Sequence, residues 1–272
     1  MTNTNQPDFD AIKAKQNATW ASGDYAKVGS TLQLSGENLA EALDLRPSSR
    51  VLDVAAGNGN ATLAFARRWH DVVSTDYVAA LLEKGRARAE AEGHDVAFQV
   101  ADVEDLPFED ASFDAVVSTF GVMFAPNQVH AASEMIRVCR SGGKIGMANW
   151  TQDGFIGQLF KVIGGHIAPP AGTHSPARWG DEAWLEEVFG PSASEVTIRP
   201  RTFDFRYRSP DHFLDIFKTW YGPTLKAFAA LDADGQQALA SDILGLVDEF
   251  NTATDGSMKV PSAYNEVVVT KA

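Results

Sequence analysis

The sequence has 272 residues, of which 44% are hydrophobic and 22% charged, proportions typical of a globular protein rather than a disordered or fibrous one. The net charge of −13, with no basic stripe, argues against binding to nucleic acid or to an anionic membrane surface through bulk electrostatics. The single cysteine, Cys139, excludes an intrachain disulfide. No apolar stretch reaches the roughly 18 residues that span a bilayer, and residues 1–15 lack a signal-peptide core. We therefore predict a cytoplasmic protein without a membrane span.

Residues 50–148 alternate between strand-like and helix-like segments, which is typical of an α/β protein. Helical patterns occupy 60–69, 79–92 and 127–140, and Gly93 and the pair Gly142-Gly143 are placed to end the last two helices. Right-handed crossovers bring the carboxyl ends of parallel strands to one edge of the sheet, where ligands bind. The predicted strands are 50–55, 71–76, 96–101, 113–119 and 144–149.

The rest of the chain continues this sheet with additions. Residues 8–44 have a helical pattern, and strand patterns return at 195–207 and 263–271. We divide the chain into N-terminal helices (1–45), a ligand-binding core (46–150), and a helical cap with the last two strands of the same sheet (151–272). Further helices are predicted at 155–167, 181–189, 211–228 and 234–250.

A glycine-containing turn follows the first strand. Gly57 and Gly59 stand between a strand and a helix, where glycines form a tight turn or let a ligand approach the backbone. Asp53, near the end of the strand, disfavours a dinucleotide phosphate and suits a cationic ligand. The dinucleotide pattern G-x-G-x-x-G also fails, because Thr62 occupies its third glycine position.

Two later acids also lie at the ends of predicted strands. Asp76 ends the second strand, where a carboxylate can accept both hydroxyls of a ribose. Asp102 follows the third strand, where it can accept a hydrogen bond from an adenine amino group. Its neighbours Glu104 and Asp105 are expected to be solvated. On the helix between these acids, Arg88 and Glu92 are spaced for an ion pair.

These motifs together resemble the class I S-adenosylmethionine-dependent methyltransferases, and most of all the ubiquinone/menaquinone-biosynthesis methyltransferase-like group. The resemblance implies a doubly wound, mostly parallel seven-stranded sheet whose last strand is antiparallel. Ala55 replaces the usual first glycine, a change tolerated if its φ stays negative, and Arg140-Ser141 replaces the usual Lys-Pro before Gly142-Gly143. The motifs are Val51-Leu-Asp53-Val-Ala55-Ala-Gly57-Asn-Gly59-Asn60, Asp76, Asp102-Val-Glu-Asp-Leu-Pro-Phe108, Ser112-Phe-Asp114 and Glu134–Gly143.

The resemblance also implies a cofactor and the residues that hold it. The cofactor is S-adenosyl-L-methionine, with Asp76 at the ribose, Asp102 and Val103 at the adenine, and Thr119 at the methionine moiety. Gly57, Gly59 and Asn60 shape the methionine pocket, and Tyr25 closes the site from the N-terminal helices. The complete predicted cofactor-binding set is Tyr25, Asp53, Ala55, Gly57, Gly59, Asn60, Asp76, Tyr77, Asp102, Val103 and Thr119.

The acceptor is less defined by the sequence. Residues 150–225 hold 13 of the 27 aromatic residues, which favours either a packed cap or an apolar pocket for a small hydrophobic molecule. In-line methyl transfer mainly requires positioning, so no base is specified; His166 and His174, beside a Pro-Pro loop, are candidates. No metal-ligand spacing is present. A non-catalytic cofactor-binding subunit and an NAD(P)-dependent oxidoreductase stay open as alternatives, as does the oligomeric state.

Overall fold

The computed structural model describes residues 7–272, and within them seven strands form one sheet in the order β3-β2-β1-β4-β5-β7-β6. Strands β1 to β5 pair in parallel, whereas β7 runs antiparallel to both β5 and β6. The predicted doubly wound, mostly parallel seven-stranded sheet is therefore confirmed. The strands are β1 Arg50–Val54, β2 Asp71–Asp76, β3 Ala97–Val100, β4 Phe113–Thr119, β5 Cys139–Trp150, β6 Ala193–Tyr207 and β7 Met258–Lys271.

Helices cover both faces of this sheet and extend over its carboxyl edge. Helix α5 has the predicted bounds, and Gly93 ends it with a left-handed φ of 74°. The helices of the described chain are α1 Phe9–Trp20, α2 Ala26–Gly29, α3 Gln33–Leu43, α4 Asn60–Ala66, α5 Ala79–Glu92, α6 Gln128–Val138, α7 Phe155–His166, α8 Glu182–Phe189, α9 Pro210–Trp220, α10 Gly222–Ala229 and α11 Ala233–Phe250.

Two predicted boundaries are wrong for identifiable reasons. The single helix expected at 211–228 is two helices, because Tyr221 is extended (φ −86°, ψ 105°) and Pro223 lies in the first turn of the next helix. Proline has no backbone N–H and its ring clashes with the carbonyl four residues earlier, so it interrupts a continuous helix but fits the first turn of a new one. The pair Gly142-Gly143 does not end helix α6, which stops at Val138; the glycines lie within β5, where the pairing with β4 shifts register.

Strand β7 is longer than expected because its first residues pair with β6. It begins at Met258 rather than at Ala263, and the pairs Phe205↔Val260 and Tyr207↔Met258 extend the ladder with β6. Antiparallel neighbours satisfy the backbone groups of these residues. No helix among residues 7–272 is long and apolar enough to cross a membrane.

The carboxyl edge of the sheet carries the candidate site. The loops that follow β1, β2, β3 and β4 meet there, as parallel strands with right-handed crossovers require. The N-terminal helices lie against these loops: Asn17 Nδ2 donates to the Tyr77 carbonyl at 2.7 Å, and Asn60 Nδ2 donates to the Gly29 carbonyl at 2.6 Å. Residues 1–6 of the predicted N-terminal segment lie outside the described residues.

Candidate active site

A cavity of about 770 Å³, including the space at its mouth, opens at this edge of the sheet. Its wall combines backbone from the strand-end loops with side chains from helix α1 and the segment after it. The lining residues are Lys13, Trp20, Tyr25, Ala55, Ala56, Gly57, Asn58, Asn60, Asp76, Tyr77, Leu81, Ala101, Asp102, Val103, Thr119, Phe120, Gly121, Phe124, Ala125 and Pro126.

The loop after β1 turns sharply at three left-handed residues. Ala55, Gly57 and Gly59 have φ values of 49°, 57° and 81°, so the negative φ under which an alanine at position 55 would be tolerated without strain is not found. The loop packs closely against the end of β4, since a Cβ at Gly121 would collide with the Ala55 carbonyl oxygen. A left-handed alanine costs about 1 kcal/mol, which is the strain that the usual glycine avoids.

Asp53 lies within β1, and its side chain is completely buried. Its Oδ2 accepts hydrogen bonds from the Thr62 backbone N–H at 2.8 Å and from Thr62 Oγ1 at 2.6 Å. Burial raises the pKa of Asp53 to about 7, against the lowering effect of the Thr62 hydrogen bonds. The carboxylate therefore anchors the start of helix α4 and does not line the cavity, so its predicted contact with a cationic ligand lacks support from the geometry.

Asp76 faces the cavity from the end of β2. Its Oδ2 accepts from the Gly57 N–H at 2.9 Å and its Oδ1 from the Val78 N–H at 2.8 Å. Burial raises the pKa of this carboxyl to about 6, although the backbone hydrogen bonds lower it. A carboxylate has about four lone-pair sites, so Asp76 can still accept two ligand hydroxyls.

A charged cluster closes the third side of the cavity. Lys13 Nζ of helix α1 lies 2.8 Å from Asp102 Oδ2 and 3.3 Å from Glu104 Oε2. Glu104 is only 4% exposed, and it also accepts from the Asn127 N–H at 2.6 Å, so its expected solvation is wrong. Only Asp105 is exposed. Lys13 joins the N-terminal helix to the predicted adenine side of the site.

Arg88 supports the glycine loop of the site, whereas sequence reasoning paired it with Glu92. Its Nη1 donates to the Asn58 carbonyl at 2.6 Å and to Asn60 Oδ1 at 2.9 Å, and the expected ion pair with Glu92 is absent from the described hydrogen bonds and salt bridges of Arg88. Glu92 instead binds Arg67, with Oε1 2.6 Å from Nη2. Arg88 thus fixes the glycine loop and leaves Asn60 Nδ2 free to hold Gly29.

A second, apolar cavity of about 360 Å³, again including the space open to solvent, adjoins the first. Trp20, Tyr25, Phe120 and Phe124 line both cavities. Phe120, with a left-handed φ of 60°, stands at the end of β4 between the two. The lining of the second cavity consists of these four residues with Val28, Leu32, Trp150, Ile156, Phe205, Phe217 and Tyr221.

The two candidate histidines line neither cavity. His166 Nε2 lies 2.7 Å from Asp242 Oδ2, joining helices α7 and α11 in the outer layer. His174 is exposed on a surface loop. The geometry therefore gives neither residue a part in the chemistry. Among residues 7–272, no group of three or more His, Cys, Asp or Glu side chains could hold a metal ion.

Comparison with known proteins identifies the family. Residues 51–143 match the family model described as a methyltransferase domain. The uncharacterized protein Rv1403c of Mycobacterium tuberculosis is 39% identical over 225 residues, 82% of this chain and 82% of that protein. A demethylmenaquinone methyltransferase of Beutenbergia cavernae is 40% identical over 165 residues, 61% of this chain and 59% of that protein. The chain belongs to the class I S-adenosylmethionine-dependent methyltransferases.

The fold of this methyltransferase is shared with solved structures. The structure of the YcgJ protein of Bacillus subtilis aligns over 87% of this chain and 98% of the YcgJ chain, with 17% sequence identity and a TM-score of 0.58. The predicted resemblance, enzyme class and cofactor are thus confirmed. The alternatives of an NAD(P)-dependent oxidoreductase and of a non-catalytic subunit are set aside.

The residues of the methyltransferase fit its cofactor. Nine of the eleven predicted cofactor-binding residues line the first cavity, and the exceptions are Asp53 and Gly59. Asn58, which sequence reasoning missed, also lines it, and its buried Nδ2 has no hydrogen-bond partner in the described chain. An unpaired buried donor is costly unless a ligand satisfies it. A Cβ at Gly57 would crowd Tyr25 at 3.3 Å, so the loop's small residues keep the cavity open.

Proposed function

We propose that the enzyme transfers a methyl group to a small hydrophobic acceptor held in the second cavity, with the cofactor in the first. The observation that carries this proposal is the pair of adjoining cavities, one polar and one apolar, which share Trp20, Tyr25, Phe120 and Phe124. Bound S-adenosylmethionine supplies a methyl group made electrophilic by its positive sulfur. The protein contributes position and a dry environment, which together account for a large part of such a rate enhancement.

The cofactor-holding roles follow from the chemistry of each group. We propose that Asp76 accepts hydrogen bonds from the ribose hydroxyls, because it is the buried carboxylate that lines the cavity with lone pairs to spare. Asp102 and the N–H of Val103 would hold the adenine edge. Asn58 and Thr119 supply polar groups near the glycine loop.

The N-terminal helices have a closing role in this proposal. Trp20 and Tyr25 line both cavities, and Lys13 is bound to Asp102 and Glu104 at the cavity wall. These contacts support the division of the chain into N-terminal helices (1–45), a cofactor core (46–150) and a cap with the last two strands (151–272). The cap supplies part of the second cavity, including Phe205 and Phe217.

Calorimetric binding of S-adenosylhomocysteine, the demethylated product, tests the cofactor assignment. Asp76→Ala should weaken binding about 100-fold, since two hydrogen bonds to a charged group are worth roughly 3 kcal/mol together. Asp105→Ala is the matched control, because Asp105 is exposed, and it should bind as wild type does. Equal affinity in Asp76→Ala and wild type would overturn the role of Asp76, and absence of binding to wild type would overturn the proposal.

Substitutions at Phe217 test whether the second cavity holds the acceptor. Phe217→Asp places a charge in the apolar wall of the second cavity, and Phe217→Leu keeps it apolar. With a panel of hydrophobic acceptors, Phe217→Asp should lose methyl transfer while still binding S-adenosylhomocysteine, and Phe217→Leu should retain both. Undiminished transfer by Phe217→Asp would place the acceptor elsewhere.

A further inference from the structure

Four aromatic side chains lie where the two cavities meet, and we refer to their rings as the aromatic collar. Two belong to the N-terminal segment and two follow β4, and each of the four lines both cavities. The ring of Trp20 packs edge-on against those of Tyr25 and Phe124, with centroids 5.7 and 4.8 Å apart. The members of the collar are Trp20, Tyr25, Phe120 and Phe124.

The carboxylates around the cofactor cavity are committed to other partners. Asp53, which the sequence assigned to a cationic ligand, is bound to Thr62 and lines neither cavity. Asp102 Oδ2 lies 2.8 Å from Lys13 Nζ. Asp76 accepts two backbone N–H groups, and its remaining lone pairs serve the ribose in the proposed function. In the described chain, no charged side chain lines the second cavity, so a cation at the junction has no carboxylate reserved for it.

The collar offers aromatic faces and no negative charge. Burial and the Asp76 charge raise the pKa of Tyr25 to about 12, so its phenol is neutral at physiological pH. Phe120 is 4% exposed, and its ring stacks on Trp150 with centroids 3.9 Å apart. The face of an aromatic ring attracts a cation, most strongly for tryptophan, and the attraction grows when both groups are removed from water. The rings can therefore take the place of a counter-ion at this junction.

We infer that the aromatic collar recognises the positive charge on the sulfur of the cofactor through cation–π contacts, and so distinguishes the cofactor from its product. This inference rests on the proposed function. S-adenosylmethionine is a sulfonium cation, whereas S-adenosylhomocysteine is a neutral thioether with the same ribose and adenine. The contacts to ribose and adenine hold both molecules, but the collar attracts only the charged one. The protein therefore binds its cofactor more tightly than the product that it must release.

Calorimetric dissociation constants of the two molecules, measured without an acceptor, test the inference. Wild type should bind S-adenosylmethionine about 30-fold more tightly than S-adenosylhomocysteine, the factor that corresponds to a desolvated cation–π interaction. A neutral analogue with a CH–CH₃ group in place of the methylated sulfur has the shape of the cofactor without its charge. It should bind as S-adenosylhomocysteine does.

Substitutions in the collar show whether its rings carry this preference. Phe124→Leu keeps an apolar side chain but removes the ring, and it should lower the preference about fivefold while S-adenosylhomocysteine affinity changes less than twofold. Phe124→Tyr keeps a ring and should retain the preference. Phe160→Leu is the matched control, because the ring of Phe160 packs edge-on against Phe124 with centroids 5.7 Å apart but lines neither cavity.

Trp20→Leu repeats the comparison on a second ring and should also lower the preference. An undiminished preference in both leucine variants, or an equal loss in Phe160→Leu, would overturn the inference. Binding of the neutral analogue as tightly as S-adenosylmethionine would do the same, because the methyl group rather than the charge would then be recognised. If S-adenosylhomocysteine binds wild type as tightly as S-adenosylmethionine, this inference fails alone; if neither binds, the proposed function has failed.

Discussion

Replacing Thr62 by valine removes a hydrogen bond to a buried carboxyl while keeping the shape of the side chain. Thr62 is fully buried, and its Oγ1 donates to Asp53 Oδ2 and lies 2.8 Å from Ser74 Oγ. A hydrogen bond to a charged group contributes about 1.5–3 kcal/mol, against about 1 kcal/mol for a neutral pair. The lost stability should therefore depend on whether Asp53 is ionised.

The pH window follows from the pKa of Asp53. Its folded-state pKa of about 7 lies above the ordinary 3.8, so its contribution to stability is complete below pH 3.8 and is lost as the pH rises to 7. Thr62→Val raises this folded-state pKa further, which extends the loss above pH 7. We expect a destabilisation of about 1 kcal/mol at pH 5 and about 2–3 kcal/mol at pH 8. The difference corresponds to about one pKa unit.

Urea unfolding followed by tryptophan fluorescence at pH 5 and pH 8 measures both values. Thr75→Val is the matched control, since Thr75 is equally buried and its Oγ1 donates to the neutral Asp53 carbonyl at 3.0 Å. It should cost about 1 kcal/mol at either pH. The same destabilisation by Thr62→Val at both pH values would refute the coupling to Asp53.

Three further predictions concern the cofactor loops. Affinity for S-adenosylhomocysteine should be constant above pH 7 and fall tenfold per pH unit well below pH 6. The reason is that burial raises the pKa of Asp76 to about 6, and the proposed contact with the ribose needs the ionised carboxylate. Calorimetry across this pH range measures the affinity, and a flat profile would contradict the prediction. Arg88→Met should weaken that binding about tenfold by releasing the Asn58 carbonyl and Asn60, whereas Arg86→Met, on the exposed side of the helix, should not. Ala55→Gly should raise the melting temperature by about 2 °C through relief of a left-handed alanine, and scanning calorimetry showing a lower value would disprove the strain.

The strand-end acids were predictable because parallel strands present their carboxyl ends at one edge. The position of Asp76 at the cavity follows from its place as the last residue of β2. Asp53 was identified from the sequence, but its predicted contact with a ligand was not. It lies within β1 opposite Ser74, and its carboxylate binds Thr62. The threonine in place of the third glycine was the available signal: a hydroxyl is required there to serve the buried carboxyl.

Long-range partners were the part that sequence patterns could not supply. The spacing of Arg88 and Glu92 suits a surface pair, but a carbonyl 30 residues earlier in the chain competes for Arg88. Lys13 pairs with Glu104, which lies 91 residues later in the chain. Such contacts depend on how the helices pack, which local periodicity does not encode.

The shared wall of the two cavities has a kinetic consequence. Trp20 and Tyr25 belong to one short N-terminal segment, and both rings border both compartments. Displacing that segment uncovers the donor and the acceptor sites in a single event. Departure of the two products is then governed by one motion, so a substitution that loosens the segment, such as Lys13→Met, should speed the release of both rather than of either one.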